Sequence, residues 1–132
     1  MIEHAIILLM PSKLMKTVVH AEYLFAAVLT GIFFVVVGDF QWYWLIILFL
    51  VFDLSAIGYL VNNRVGAFTY NLGHSLIGPV LLMGYFALSS NESVLFVALL
   101  WLFHIFVDRT LGYGLKHTKG FHHTHLGKIG KK

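Results

Sequence analysis

Four long apolar segments, separated by short polar breaks, restrict what this sequence can fold into. They cover about residues 14–37, 40–61, 65–88 and 94–115. Each is close to the roughly 20 residues that an α-helix needs to cross about 30 Å of hydrocarbon. The breaks are Gly38-Asp39, Asn62-Asn63-Arg64 and Ser89-Ser90-Asn91-Glu92, whose turn-forming side chains favour antiparallel neighbours. The sequence therefore predicts an all-α fold, an integral membrane four-helix bundle with antiparallel up-down topology.

The composition supports a membrane protein with one domain. Hydrophobic residues make up 59% of the chain and charged residues 11%, whereas soluble domains contain roughly 45–50% apolar residues. The segments leave no room for a second domain, so we expect a single transmembrane domain over residues 1–132, with a basic, His-rich tail at 116–132. Cysteine is absent, which excludes a disulfide framework and thiolate chemistry.

The positive charges predict the orientation of the bundle. Lys13, Lys16, Arg64 and the lysine-rich tail flank one side of the segments, whereas the loops on the other side contain Asp39 and Glu92. Cytoplasmic loops of membrane proteins carry the excess of lysine and arginine. Both termini are therefore expected in the cytoplasm.

Polar side chains from all four segments fall in one layer of the predicted bundle. At 1.5 Å per residue, one residue of each segment lies about 12 to 15 Å from the cytoplasmic end: Glu22, Asp53, His74 and His104. Asp108 lies four residues after His104, on the same helix face. Ionisable residues inside a membrane usually have partners or a function, so these side chains predict one buried polar site.

A divalent metal is the most direct way to neutralise carboxylates gathered at one level. Imidazole and carboxylate together suit zinc, iron or manganese. In this interpretation the metal ligands are His74, His104, Asp108 and, if the tail folds back over the site, His125. The catalytic group comprises Glu22 and Asp53, which complete the ligand set or act as general base, and Tyr70 and Asn71, which orient ligands or substrate.

Purely structural interpretations remain open at this point. Buried polar residues often only join membrane helices, through hydrogen bonds worth about 0.6 kcal/mol each. Arg109 either pairs with a carboxylate or extends to the interface, and Pro79 is expected to kink the third segment just beyond His74. The tail, instead of placing His125 over the site, can lie as a basic arm against anionic lipid, at about 1 kcal/mol per lysine.

Four sequence blocks resemble, in order and spacing, the signature blocks of a bacterial family of small membrane proteins, domain-of-unknown-function family 4260: DLSAIGYL from Asp53, RVGAFTYNLGHS from Arg64, HIFVDRTLGYGLK from His104 and THLGKIG from Thr124. The resemblance covers nearly the whole chain and implies a location in the bacterial cytoplasmic (inner) membrane. Phe52 stands where the family tends to have proline, and His122-His123 replace a lysine and an aspartate. The family name implies no activity.

Three functions are compatible with these residues. The first is a metal-dependent hydrolase acting on a lipid or amphiphile, with metal-activated water as nucleophile and Glu22 or Asp53 as its base. The second is a proton or metal-ion transport subunit, which would need a homo-oligomer to form a pathway. The third is a structural accessory subunit of a larger membrane complex, supported by the glycine-rich helix faces. The lipid bilayer is the expected partner in each case, and no nucleic acid is expected.

Overall fold

The computed structural model describes residues 12–129 of the chain and is mostly helical. The first segment forms α1 (Ser12–Ile32), which continues as a π-helix over Phe33–Val37. The remaining elements are α2 (Trp44–Ile47), a 3-10 helix (Phe49–Leu60), α3 (Asn63–His74), α4 (Ile77–Ser89), α5 (Glu92–Thr110), β1 (His123–Thr124) and β2 (Gly127–Lys128).

Three helical stretches within the described residues are long and apolar enough to cross a membrane. They are Lys13–Val37, Asn63–Ser89 and Glu92–Thr110, and a shorter apolar helix covers Trp44–Leu60. Large apolar side chains face outward along these stretches, with Leu60 85% and Leu88 90% exposed. Such a surface is compatible with lipid and costly in water.

The 12-residue 3-10 helix lengthens the second segment and determines which side chains share a face. At about 2.0 Å per residue it measures roughly 24 Å, and α2 adds about 6 Å, which together match the bilayer core. Residues three apart eclipse one another in this geometry. Accordingly Phe49 and Phe52 pack on His104, and Ser55 contacts His74. Asp53 is displaced from that face and lines a cavity.

The third segment is a helix broken at Ser75 and Leu76. α3 ends at His74 because Ser75 has extended backbone, with ψ 139°. Pro79 follows as the third residue of α4, where its missing N–H would have no partner in the helix anyway. The predicted interruption just beyond His74 is therefore present, and it leaves the His74 carbonyl free of helical hydrogen bonds.

Helix α5 occupies the centre of the packing. α1 and α4 lie against α5, while the 3-10 helix lies mainly against α3. The core cluster consists of Phe34, Leu45, Leu95, Leu99 and Leu100. His104 and Ile105 continue the same helix and are 0% and 1% exposed. The central position of α5 therefore places His104 and Asp108 inside the protein.

The fourth segment ends earlier than the predicted residue 115. α5 stops at Thr110, and Gly112 then adopts φ +92°, a conformation that favours glycine. The chain folds back so that Lys116 pairs with Thr124, while β1 pairs with β2 in an antiparallel hairpin. Lys116 of this tail bonds Asn71 of α3, and Phe121 packs on Tyr59 of the 3-10 helix and Tyr70 of α3.

Candidate metal centre

Four side chains from three elements meet in a cluster that could hold a metal ion. Asp53 comes from the 3-10 helix, His74 from the last position of α3, and His104 and Asp108 from successive turns of α5. Each offers one ligand atom, and these atoms all lie within 4.8 Å of one another. Three of the four residues are buried, whereas the Asp53 side chain is 40% exposed.

Five distances between ligand atoms of the cluster are close to those between ligands around one ion. His74 Nε2 lies 3.0 Å from His104 Nε2 and 3.3 Å from Asp108 Oδ2, and the latter two atoms are 3.6 Å apart. Asp53 Oδ1 lies 3.5 Å from His74 Nε2 and 3.7 Å from His104 Nε2. Ligands placed tetrahedrally about 2.0 Å from zinc are separated by about 3.3 Å. The measured values fall on both sides of that separation.

Hydrogen bonding leaves the cluster rich in acceptors. His74 Nδ1 donates to the Tyr70 carbonyl at 3.0 Å, which in a neutral ring leaves Nε2 as the unprotonated nitrogen that can accept a hydrogen bond or bind a metal. Asp53 and Asp108 can only accept when ionised. A single proton on His104 Nε2 cannot be donated at once to His74 Nε2, Asp53 Oδ1 and Asp108 Oδ2, which all lie close to it. A divalent cation at their centre fits this donor set.

Tyr70 contacts two of the cluster residues. Its ring stacks on the His74 ring with centroids 3.7 Å apart and an interplanar angle of 9°. Its hydroxyl donates to Asp108 Oδ2 at 3.4 Å. Ser55 adds a contact that the sequence did not reveal, because its Oγ lies 3.3 Å from His74 Nδ1. Groups of this kind fix the direction of a ligand's lone pair.

Arg109 supports the cluster through the main chain. It is buried, and its guanidinium donates to the His74 carbonyl at 3.3 Å and to the Tyr23 hydroxyl at 3.1 Å. The described residues show no ion pair between Arg109 and a carboxylate, in contrast to one of the two predicted alternatives. The positive charge of Arg109 at the C-terminus of α3 satisfies the free His74 carbonyl and interacts favourably with the helix dipole.

Besides Tyr70, which contacts the cluster, three of the predicted site residues lie outside it. Glu22 is exposed on α1, because the contacts of His20 with the Thr110 carbonyl and of Tyr23 with Arg109 fix which face of α1 meets α5. Asn71 bonds the main chain of the tail, and His125 caps a backbone N–H there.

His125 acts within the tail as a neutral hydrogen-bond acceptor. Its Nδ1 accepts from the Leu115 N–H at 2.8 Å. Burial, followed by the positive charge of Arg109, lowers the pKa of His125. The neutral ring is therefore favoured, which is the form that this hydrogen bond requires.

A cavity of about 320 Å³ reaches the carboxylates of the cluster. Its lining comes from the 3-10 helix, α3, α5 and the tail: Asp53, Ala56, Tyr70, Asp108, Tyr113 and Phe121. Asp53, the most exposed cluster residue, forms part of this wall. The cavity therefore gives a small molecule access to one side of the cluster.

Comparison with known proteins places the chain in a family without assigning an activity. Residues 16–129 match the family described as "Domain of unknown function (DUF4260)". Neither a curated protein nor a solved structure matches the chain. The match covers most of the sequence, including all four cluster residues, and the chain therefore belongs to the DUF4260 family.

Proposed function

We propose that this protein is a membrane-embedded, metal-dependent hydrolase that acts on a lipid or amphiphile. One divalent ion, zinc, iron or manganese, is held by His74, His104 and Asp108. The observation that carries the proposal is the set of distances of 3.0, 3.3 and 3.6 Å among their ligand atoms, together with a cavity that opens beside them.

Asp53 is assigned as the general base. Its carboxylate is the most exposed of the cluster and lies 3.5 and 3.7 Å from the two imidazoles, compared with 3.3 and 3.6 Å for the carboxylate of Asp108. Catalytic metal sites keep three protein ligands and leave one position for water or substrate. A carboxylate beside that position, on the cavity wall, is within reach of a proton released from water.

The positions of the residues in the site assign a role to each of them. A bound divalent cation supplies Lewis-acid polarisation of the scissile bond and activation of water. Asp53 takes the proton, and Tyr70 keeps Asp108 and His74 in place through its hydroxyl and its ring. Arg109 holds the His74 main chain. Glu22, exposed on α1, takes no part.

The membrane setting supports an amphiphilic substrate. We place the chain in the bacterial cytoplasmic membrane as an antiparallel four-helix bundle, with both termini in the cytoplasm as the basic flanks favour. The wall of the cavity includes Tyr113 and Phe121 from the tail that follows α5. In this orientation the cavity lies at the cytoplasmic end of the bundle, where the headgroup of a lipid in that leaflet would reach it.

The test compares wild type with Asp53→Asn and, as a matched control, Glu22→Gln. Tag-free protein is loaded with zinc, its metal content is measured by inductively coupled plasma mass spectrometry, and turnover of a bacterial lipid extract is followed by lipid mass spectrometry. We expect Asp53→Asn to keep its metal and lose activity by about 100-fold or more. Glu22→Gln should match wild type in both measurements.

Other results would favour the other functions. Stoichiometric metal without turnover of any lipid would contradict the hydrolase and favour metal-ion transport. Absence of metal from well-folded wild type, with aggregation of a His74→Ala/His104→Ala double variant, would indicate a structural layer that joins helices.

A further inference from the structure

Lys116 is a buried ammonium without a hydrogen-bonding partner in the described part of the chain. The residue is 4% exposed, and its Nζ makes no hydrogen bond there. Aromatic rings surround it instead, with Nζ 3.9 Å from the centroid of Phe121, 4.8 Å from Tyr70 and 5.5 Å from Tyr113. Burying an unpaired charge is costly, and contacts with ring faces recover only about 0.5–2 kcal/mol.

The main chain holds this lysine firmly in place. The Asn71 side chain donates to the Lys116 carbonyl at 2.9 Å and accepts from the Lys116 N–H at 2.6 Å. Lys116 also pairs with Thr124 in the folded-back tail. α3 and the tail together therefore fix the main chain of Lys116, which places its ammonium inside the protein.

The three rings around the ammonium also line the cavity beside the cluster. Tyr70, Tyr113 and Phe121 share that cavity with Asp53 and Asp108. Phe121 contacts Nζ most closely, is 38% exposed and forms part of the cavity wall. A ligand there would contact the carboxylate cluster on one side and Lys116 on the other.

The charges of the metal-loaded site favour an anion. The two cluster carboxylates contribute two negative charges, which a divalent ion neutralises while the imidazoles stay neutral. The ammonium of Lys116, which lies behind the Phe121 ring beside the cavity, then remains as a positive charge without a paired carboxylate among the described residues. An oxyanion is the complementary ligand, because a charge-assisted hydrogen bond to a buried ammonium is among the stronger polar contacts.

We infer that Lys116 anchors the anionic headgroup of the substrate, so that the site takes a phosphate- or carboxylate-bearing amphiphile. This inference rests on the proposed function, which it extends by naming the substrate class. The oxyanion binds Lys116 Nζ after Phe121 rotates, and the bond to be hydrolysed lies toward Asp53 and the metal. Lys116 is thereby a binding residue for the headgroup and takes no part in holding the ion.

The experiment measures binding of dihexanoyl phosphatidate to zinc-loaded protein in a neutral maltoside detergent by isothermal titration calorimetry. We expect Lys116→Met to weaken binding by about tenfold or more, as for loss of a charge-assisted hydrogen bond. Lys116→Arg should retain most of the affinity. The matched control is Lys119→Met, which removes an exposed lysine of the same tail and should bind like wild type.

Three further arms make the result decisive. Neutral dihexanoylglycerol should bind at least about tenfold more weakly than the phosphatidate to wild type, and inorganic phosphate alone shows whether the headgroup suffices. Equal affinity of wild type and Lys116→Met, or equal binding of the neutral lipid, would overturn the inference. Zinc stoichiometry measured on the same samples separates this failure from failure of the proposed metal site.

A second measurement covers the case in which Lys116→Met does not fold. Wild-type protein is treated with formaldehyde and cyanoborohydride, and methylation of each lysine is quantified by peptide mass spectrometry with and without dihexanoyl phosphatidate. Protection of Lys116 but not of Lys119 is expected. Equal labelling of Lys116 in both samples would contradict the inference.

Discussion

His74 and His104 bring their Nε2 atoms to 3.0 Å although 30 residues separate them in the chain. Their rings meet nearly edge to face, with centroids 5.0 Å apart and an interplanar angle of 65°. The carboxylates of Asp53 and Asp108 approach the same two nitrogens within 3.7 Å. Two imidazole nitrogens and two carboxylates therefore meet in a largely buried region. The stability of this polar cluster depends on whether a proton or a cation lies between them.

Removal of one imidazole tests the metal centre directly. His104→Ala is expected to reduce zinc content from near-stoichiometric to background, because the ion loses one of its three protein ligands. The measurement is elemental analysis of tag-free protein purified without chelator, with size-exclusion chromatography as a check of folding. His123→Ala, which changes an exposed histidine of β1, is the control and should keep its zinc. Equal zinc in His104→Ala and wild type would contradict the site.

A glycine on α3 controls the distance between two of the ligand-bearing elements. A Cβ on Gly66 would collide with the Tyr59 ring of the 3-10 helix, whereas one on Gly84 would meet no atom within 4 Å. Gly66→Ala should therefore push α3 from the 3-10 helix and separate His74 from Asp53. We expect a loss of about 1–3 kcal/mol in unfolding free energy and weaker zinc binding. Gly84→Ala should be neutral or slightly stabilising in both denaturation and zinc titration.

The two hydrogen bonds from Asn71 to the Lys116 main chain predict how firmly the tail is docked. Asn71→Leu leaves the Lys116 N–H and carbonyl without these partners, at a cost of about 1–3 kcal/mol. Trypsin should then cleave after Lys116 and Lys119 faster than in wild type, as followed by mass spectrometry. Asn63→Ala, at the exposed start of α3, should leave these rates unchanged. Unchanged cleavage in Asn71→Leu would show that the tail docks by other contacts.

The buried ammonium predicts a pH-dependent stability. Burial lowers the pKa of Lys116 from 10.5 to about 8, against the opposing charges of Asp108 and Asp53. Between these two values the unfolded chain binds more protons than the folded protein, so stability rises with pH. This contribution is complete above about pH 10.5 and is lost as the pH falls through about 8. Melting temperatures measured across this window should rise more for wild type than for Lys116→Met. Parallel curves would contradict the assignment.

The periodicity and length of the apolar segments are sufficient to predict that this protein is helical and compatible with a membrane. Apolar stretches near 20 residues and their polar breaks predict helices at about the observed places, because these signals are local. The spacing of His104 and Asp108 predicts one shared face, which the structure shows. Counting at about 1.5 Å per residue also predicts His74 and Asp53 in the same layer, and both belong to the cluster.

Counting along helices could not determine which face of each helix turns inward. Counting predicts Glu22 in the polar layer, but its side chain is exposed, since α1 meets α5 through His20 and Tyr23. The support of His74 by Arg109 depends on the break at Ser75, which frees the carbonyl. Neither relationship has a local sequence signal.

Local features of the sequence are enough to predict apolar helices that contain a few ionisable side chains. The hydrophobic period, the segment length and the turn-forming residues involve only neighbouring positions, so they can be read from the sequence without knowledge of the fold. Long-range packing, in contrast, keeps Glu22 out of the cluster and buries Lys116 beside the cavity. Those outcomes depend on helix rotation and on packing of the tail between residues distant in sequence, such as Asn71 and Lys116.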